Sequence, residues 1–137
     1  MDFFQYYQRG GNTSTPQRQE KDIFFEAIRK GDVDKVTDMV NNKVGDKNRP
    51  IHKDDMDKYG NPAGILAING YMETHPPECN KYKQILHVLG DAGFDFAKPN
   101  KGGWTMLYIC YQHREAIEQE VIDYIKCVLG RVPITYC

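Results

Sequence analysis

Two pairs of cysteine and histidine side chains carry the groups in this chain best suited to chemistry. Cys110 and His113 lie three residues apart, and His75 lies four residues before Cys79. Residues at these spacings share one face of a helix. Thiolate and imidazole groups bind zinc, and together they can also form a nucleophile and its base. Neither pair has a second pair at zinc-ligand spacing, so buried thiols beside surface histidines are the favoured interpretation.

Sequence motifs of several common catalytic sites are absent from the chain. There is no phosphate-binding glycine loop, no His-Glu-x-x-His and no Gly-x-Ser-x-Gly. We therefore predict that the protein is not an enzyme and holds no cofactor or metal. A catalytic cysteine and histidine need not be close in sequence, because the fold can bring them together. A small metal-dependent or Cys/His-based enzyme or regulator is therefore the alternative.

The elements that must position these side chains are helices joined by glycine-containing turns. Gly93 follows an apolar helical stretch and can take the left-handed conformation that ends a helix. Lys101, Gly102 and Gly103 allow a tight turn, and Thr105 can cap the helix that follows. Local chemistry alone thus predicts the order helix, turn, helix.

The same order recurs upstream in two further places. The stretch from Asp57 to Ala67 is a looser copy in which Gly60 aligns with Gly103, at a distance of 43 residues. Residues 23 to 36 match a pair of helices, broken at Gly31 and capped again by Asp32. The chain therefore contains a divergent internal repeat.

The stretch from Gly93 to Cys110 resembles the junction between two ankyrin repeats. In that family a helix ends in Gly-Ala-Asp, a turn carries Asp-x-x-Gly, and Thr-Pro-Leu-His-x-Ala opens the next helix. The positions that match are Gly93, Asp95, Gly103, Thr105 and Leu107, and those that depart are Phe94, Met106, Tyr108 and Cys110. The resemblance covers roughly Asp22 to Leu129, as two and a half to three divergent repeats of about 33 residues each.

The resemblance implies an all-α fold, an ankyrin-like helical solenoid of about three helix-turn-helix units with turn tips. Residues 20–137 would form the repeat domain, and residues 1–19 an N-terminal aromatic and polar segment or cap. We expect the extra length of the second unit in an insertion from Tyr71 to Lys81. Within it, residues 72–79 are predicted to form an exposed loop, in which Pro76 and Pro77 suit the first turn of a helix ending near Gly90. A second stretch of extra length, Lys43 to Met56, is predicted to be a polar loop.

The resemblance also implies a protein-interaction module, because ankyrin repeats are mostly binding scaffolds. Family members usually meet their partners through the turn tips and the inner helix face. The corresponding positions here are Lys58, Tyr59, Asn61, Asn69, Lys101, Trp104, Gln112 and His113. Tyr59 and Trp104 stand out, since exposed aromatic side chains are typical binding anchors. For Trp104, a ring that packs on its own neighbouring turn is the competing interpretation.

Net charge, the length of apolar stretches and cysteine spacing indicate which partners and which compartment to expect. The formal charge is −1 and the pI is near 6.4, so no global basic field favours nucleic acid. The apolar stretches are too short for a membrane span, and no secretory signal is visible at the N-terminus. None of the four cysteines forms Cys-x-x-Cys, which favours a reducing, cytoplasmic setting.

Apolar side chains near both ends of the chain could either pack within the domain or contact another molecule. The aromatics Phe3 to Tyr7 either cap the first repeat or form a docking motif. The last helix has an apolar face running from Ile117 to Leu129, which is expected to close the stack. A homodimer through that helix, completed by Ile134 and Tyr136, is the alternative.

Overall fold

The computed structural model describes residues 16–45 and 48–130, with side chains from residue 19 onward, and this part of the chain is all-α as predicted. Its helices are α1 (Pro16–Lys30), α2 (Val33–Lys43), α3 (Ala63–Glu73), α4 (Cys79–Asp91), α5 (Met106–Gln112) and α6 (Gln119–Gly130). A short 3-10 helix, Arg114–Ala116, joins α5 to α6. None of the helices in the described ranges is both long and apolar enough to cross a membrane.

The predicted helix breaks and caps are present. Gly31 follows α1 with φ of 73°, and Gly93 follows α4 with φ of 91°. Both values lie in the left-handed region that a side chain disfavours. The Asp32 side chain accepts a hydrogen bond from the Lys35 amide, and the Thr105 hydroxyl accepts one from Tyr108, at 3.2 Å each. These caps satisfy amides that have no partner within the first turn of α2 and α5.

Helix α1 begins earlier than the sequence suggested. Residues 10–19 are polar, and this composition alone predicts a loop, but the helix already includes Pro16. Proline is tolerated in a first helical turn, where its missing N–H has no acceptor, and the Gln, Arg, Glu and Lys that follow are good helix formers. Polarity alone was therefore the wrong guide to loop structure here.

The helices contact one another in pairs and in rows. Consecutive helices pack as α1 with α2, α3 with α4, and α5 with α6. The first helices of these pairs also pack in the order α1, α3, α5, and the second helices in the order α2, α4, α6. One hydrophobic core runs through all six helices.

Helix α3 lies at the centre of this core. Eight of its eleven residues are buried, on every side of the helix. Close packing depends on glycine: a Cβ at Gly70 would lie 2.2 Å from the Tyr82 ring, and one at Gly64 would lie 2.5 Å from the Met106 sulfur. The Tyr82 hydroxyl donates a 2.8 Å hydrogen bond to the carbonyl oxygen of Arg29, so α4 is also tied to the end of α1.

The segment between α2 and α3 is more than the polar loop predicted for residues 43–56. Ile51 is fully buried in the core. Its amide and carbonyl form 3.1 Å hydrogen bonds with Lys43 and Gly45, in an isolated bridge that pairs Val44 with Ile51. Ile51, bridged to the partly buried Val44, thus anchors a mostly polar connection to the core.

The insertion between α3 and α4 is mostly helical. The irregular part spans only residues 74–78, because α3 continues to Glu73 and α4 starts at Cys79. The prediction of an exposed loop holds for residues 75–78 but fails at Cys79, which is buried. The two prolines precede α4 instead of opening it, since Glu78 is its N-cap. The predicted end near Gly90 is confirmed, as α4 ends at Asp91.

The apolar face of α6 is buried within the chain. Val121, Tyr124, Ile125 and Val128 are each at most 7% exposed, and α6 packs on α4 and α5. This arrangement favours the interpretation that α6 closes the stack. The aromatics Phe3 to Tyr7 and the residues Ile134 and Tyr136 lie outside the described residues, so the N-terminal cap and the homodimer stay predictions.

Candidate functional site

Two turns with the same hydrogen bonds lie 43 residues apart in the sequence. In the first, the Asp57 amide donates to the Asn61 carbonyl at 2.9 Å, and the Asp57 carboxylate accepts from the amides of Tyr59 and Asn61. In the second, the Asn100 amide donates to the Trp104 carbonyl at 2.9 Å. The Asn100 side-chain oxygen accepts from the amides of Gly102 and Trp104.

Each turn contains one glycine in the left-handed region. Gly60 has φ of 83° and Gly103 has φ of 87°, so the predicted alignment of these two glycines is confirmed. The carboxylate or amide oxygen at the first position replaces a backbone acceptor, which is why Asp and Asn are favoured there. We call the two segments, residues 57–61 and 100–104, the paired turns.

The paired turns lie side by side. The backbone amide of Lys101 donates a 2.9 Å hydrogen bond to the carbonyl oxygen of Gly60. A Cβ at Gly60 would lie 2.6 Å from the Cβ of Lys101, so the glycine permits the close approach as well as the positive φ. Side chains of the two turns are thereby brought onto one surface.

The first turn is also fixed to α1 through an ion pair. The Asp57 carboxylate is buried, and its second oxygen lies 2.9 Å from a guanidinium nitrogen of Arg29. Arg29 additionally contacts Glu26 at 3.1 Å, and its guanidinium carbon lies 6.0 Å from the centre of the Tyr59 ring. Asn100, at the equivalent place in the second turn, is neutral and cannot form an ion pair; its side-chain oxygen accepts from the two turn amides.

Large aromatic side chains are exposed on the paired turns and the start of α5. Tyr59 is 64% exposed, Trp104 44% and Tyr108 47%. The Trp104 and Tyr108 rings meet edge to face with centroids 4.9 Å apart, and the Lys58 ammonium lies 5.3 Å from the Tyr59 ring centre. We call the surface formed by Lys58, Tyr59, Lys101, Trp104 and Tyr108 the tip surface.

The structure separates the predicted binding residues into two groups. Lys58, Tyr59, Asn61, Lys101 and Trp104 belong to the paired turns, where all but the half-buried Asn61 are exposed. The others lie along the helices: Asn69 is half-buried on α3, and Gln112 and His113 are exposed at the far end of α5. Helix α5 is about 10 Å long, so Gln112 and His113 lie about that far from the tip surface, at the opposite end of the helix.

Two side chains of this region were missed by sequence reasoning. Tyr108 was treated only as a departure from the family pattern, although an apolar residue just before an N-cap often packs on the first turn of the helix. Arg29 gave no local signal, because its partner Asp57 lies 28 residues away. Long-range pairing of this kind is not written in local sequence patterns.

The cysteine and histidine pairs do not form a common site. Cys110 is fully buried on α5, and burial raises the pKa of its thiol to about 11. His113 is exposed at the end of the same helix. Cys79 is buried at the start of α4, while His75 is exposed on the preceding loop. Within the described ranges, His, Cys, Asp and Glu residues form no group of three or more that could hold a metal ion.

The cysteines give opposite indications of the compartment. Cys79 and Cys110 are free, as expected in a reducing setting. Cys127 is disulfide-bonded, which is typical of an oxidising setting. The cytoplasmic setting therefore stays a prediction.

A polar cluster joins α3 and α4 to the start of α6. The Tyr71 hydroxyl donates to the Glu118 carboxylate at 2.9 Å and accepts from the Glu118 amide at 3.1 Å. Lys83 lies 3.2 Å from Glu118 and 3.3 Å from Glu120. The hydrogen bond from Tyr71, and then the neighbouring groups Glu120 and Lys83, lower the pKa of Glu118. Burial raises the pKa of Tyr71.

Comparisons with known proteins add no assignment. No family model, curated protein or solved structure matches the chain.

Proposed function

We propose that this chain is an ankyrin-like repeat protein that binds a partner protein through the tip surface and the adjoining inner helix face, without turnover. The observation that carries the proposal is the hydrogen bond from Lys101 to Gly60, which sets two equivalent turns side by side. In a solenoid, adjacent units present their side chains as a rigid row, so contacts add up over an extended surface.

The helix contacts support the same architecture. First helices pack with first helices, and second helices with second helices, as expected for units that stack in one direction. An isolated antiparallel bridge between Met56 and Pro62 flanks the first turn, which gives it the form of a small hairpin. Three units, α1–α2, α3–α4 and α5–α6, fit the predicted count.

Exposed aromatics on this rigid frame favour binding over a purely structural role. Tyr59 is largely exposed, and Trp104 packs against Tyr108 yet keeps 44% of its surface in solvent. The ring of Trp104 thus contacts its own helix start and also remains available to a partner. Aromatic anchors in protein interfaces commonly contribute about 2 kcal/mol or more each when truncated.

The test is capture of partners from lysate by the immobilised protein. Replacing both Tyr59 and Trp104 with Ala is expected to abolish capture of the specific partner, while helical content and melting temperature stay close to those of the wild type. Gln84→Ala is the control, since Gln84 is exposed on α4, outside both the tip surface and the cavity beside Lys58. Full capture by a well-folded double variant would overturn the proposal.

A further inference from the structure

The tip surface is basic, whereas the chain as a whole is slightly acidic. The formal charge of the chain is −1. Nevertheless, neither residues 58–72 nor residues 96–114 contain an Asp or a Glu. These two stretches supply the paired turns, except for Asp57, and all of α5. Their cationic side chains are Lys58, Lys98, Lys101 and Arg114.

The two carboxylates that directly precede these stretches, Asp57 and Asp95, are engaged locally. Asp57 is buried, and its oxygens are taken by Arg29 and by two backbone amides. The Asp95 carboxylate accepts a 2.9 Å hydrogen bond from the amide of Ala97. Lys58 and Lys101 are exposed. The tip surface therefore presents ammonium groups next to aromatic rings without a carboxylate of its own.

The charge beside Lys58 is mixed on the side that faces α1. An open cavity of about 440 Å³ there is lined by four basic residues, Arg29, Lys30, Lys35 and Lys58, and by three acidic ones, Asp22, Glu26 and Asp32. Of these acids, Glu26 is paired with Arg29 and Lys30, and Asp32 caps α2. The stretch without acidic residues is therefore limited to the tip surface and α5.

We infer that the tip surface binds an acidic, extended segment of the partner protein, in which Asp or Glu residues are interspersed with apolar ones; this inference rests on the proposed function. Carboxylates of the segment would meet Lys58 and Lys101, and its apolar side chains would pack on Tyr59, Trp104 and Tyr108. Complementary charge steers such a segment to the surface and rejects basic competitors.

A protein segment fits this surface better than a nucleic acid does. Nucleic-acid affinity comes from neutralising many phosphates, and a domain that does so carries a basic excess. Here the cations are few and the chain as a whole is slightly acidic. Bases could stack on the aromatic rings, but their backbone would still need a longer basic track than Lys58 and Lys101 provide. A short acidic segment needs only a few ammonium partners.

The closing experiment is selection from a random-peptide display library on the immobilised full chain, with the Tyr59→Ala/Trp104→Ala double variant used for counter-selection. Selected peptides are then synthesised and titrated while the fluorescence of Trp104 is followed, because it is the one tryptophan in the sequence. We expect the selected peptides to be enriched in Asp and Glu and their affinity to fall as salt rises. Lys58→Glu combined with Lys101→Glu is expected to weaken binding by about tenfold or more.

Matched controls make each outcome decisive. Lys81→Glu changes an exposed lysine on α4, outside the tip surface, and is expected to leave the dissociation constant unchanged. Neutral or basic peptides that still require Tyr59 and Trp104 would overturn the acidic partner while leaving the proposed function intact. Failure to select any peptide that requires these aromatics would likewise overturn the inference, and capture from lysate judges the proposed function separately. Tighter binding of a single-stranded oligonucleotide than of any acidic peptide would identify nucleic acid instead.

Discussion

The amide of Lys101 donates to the carbonyl oxygen of Gly60, and this single bond of 2.9 Å joins turns from two different helical units. The two turn glycines differ in one respect. A Cβ at Gly60 would meet the Cβ of Lys101 at 2.6 Å, whereas a Cβ at Gly103 would meet no heavy atom within 4 Å. The cost of a left-handed backbone can therefore be measured at Gly103, and the added cost of a clash with the neighbouring turn at Gly60.

Gly103→Ala is expected to lower the free energy of unfolding by about 1–2 kcal/mol, because alanine must take a left-handed conformation. Gly60→Ala should lower it further, since the same strain is joined by a clash with the neighbouring turn. Chemical denaturation of both variants measures the difference. Equal losses would show that the turns do not press on each other, and an unchanged Gly103→Ala variant would refute the turn itself.

An exchange of the first turn residues tests the ion pair with α1. Asp57→Asn keeps an oxygen for the turn amides but removes the charge that faces Arg29, and should destabilise the protein by about 1–3 kcal/mol. Asn100→Asp is the matched control, because the Asn100 side chain makes the same turn hydrogen bonds but is neutral and forms no ion pair. It should leave the unfolding free energy nearly unchanged. The opposite ranking of the two variants would contradict the assignment.

Acid should weaken the attachment of α6 through Glu118. Its pKa is lowered in the folded chain, chiefly by the Tyr71 hydroxyl. The stabilisation is therefore fully present above the pKa of an unfolded glutamate, about 4.3, and is lost as the pH falls through the lower folded value. Glu118→Gln should be less stable than the wild type at neutral pH, and the two should converge in acid. Glu115→Gln, an exposed neighbour, is the control. A stability difference that is independent of pH would contradict this linkage.

Cys110 should resist alkylation in the native protein. Its thiol is buried and its pKa is raised to about 11, so both access and the reactive thiolate are suppressed at neutral pH. Iodoacetamide labelling followed by mass spectrometry is expected to modify Cys110 only after denaturant is added. Rapid labelling of the folded chain would show an accessible thiol and would revive the Cys/His alternative.

Local sequence patterns predicted the helix ends, caps and turns of this fold better than its long-range contacts. Gly31, Gly93 and Gly103 could be assigned to breaks because few other residues tolerate positive φ. Thr105 and Asp32 could be assigned as caps because short polar side chains satisfy free helical amides. Such features depend on neighbours within a few residues.

The features that were missed depend on distant partners. Ile51 looked like part of a polar loop, yet the core holds it. Tyr71 was assigned to an insertion, but its hydroxyl bonds to Glu118, 47 residues away. Of the tip surface, the turn residues were predicted and Tyr108 was not, since its exposure depends on how α5 packs.

The burial of α3 on all sides limits how this chain can be divided. In a regular array of repeats, one unit can be removed because each interface resembles the next. Here α3 packs against α1, α4 and α5 and has no broad polar face to turn toward water. A cut on either side of the α3–α4 pair would leave an apolar helix exposed, and such a fragment would aggregate or stay unfolded. We therefore expect the described units to depend on one another for folding, with the middle unit packed between its neighbours.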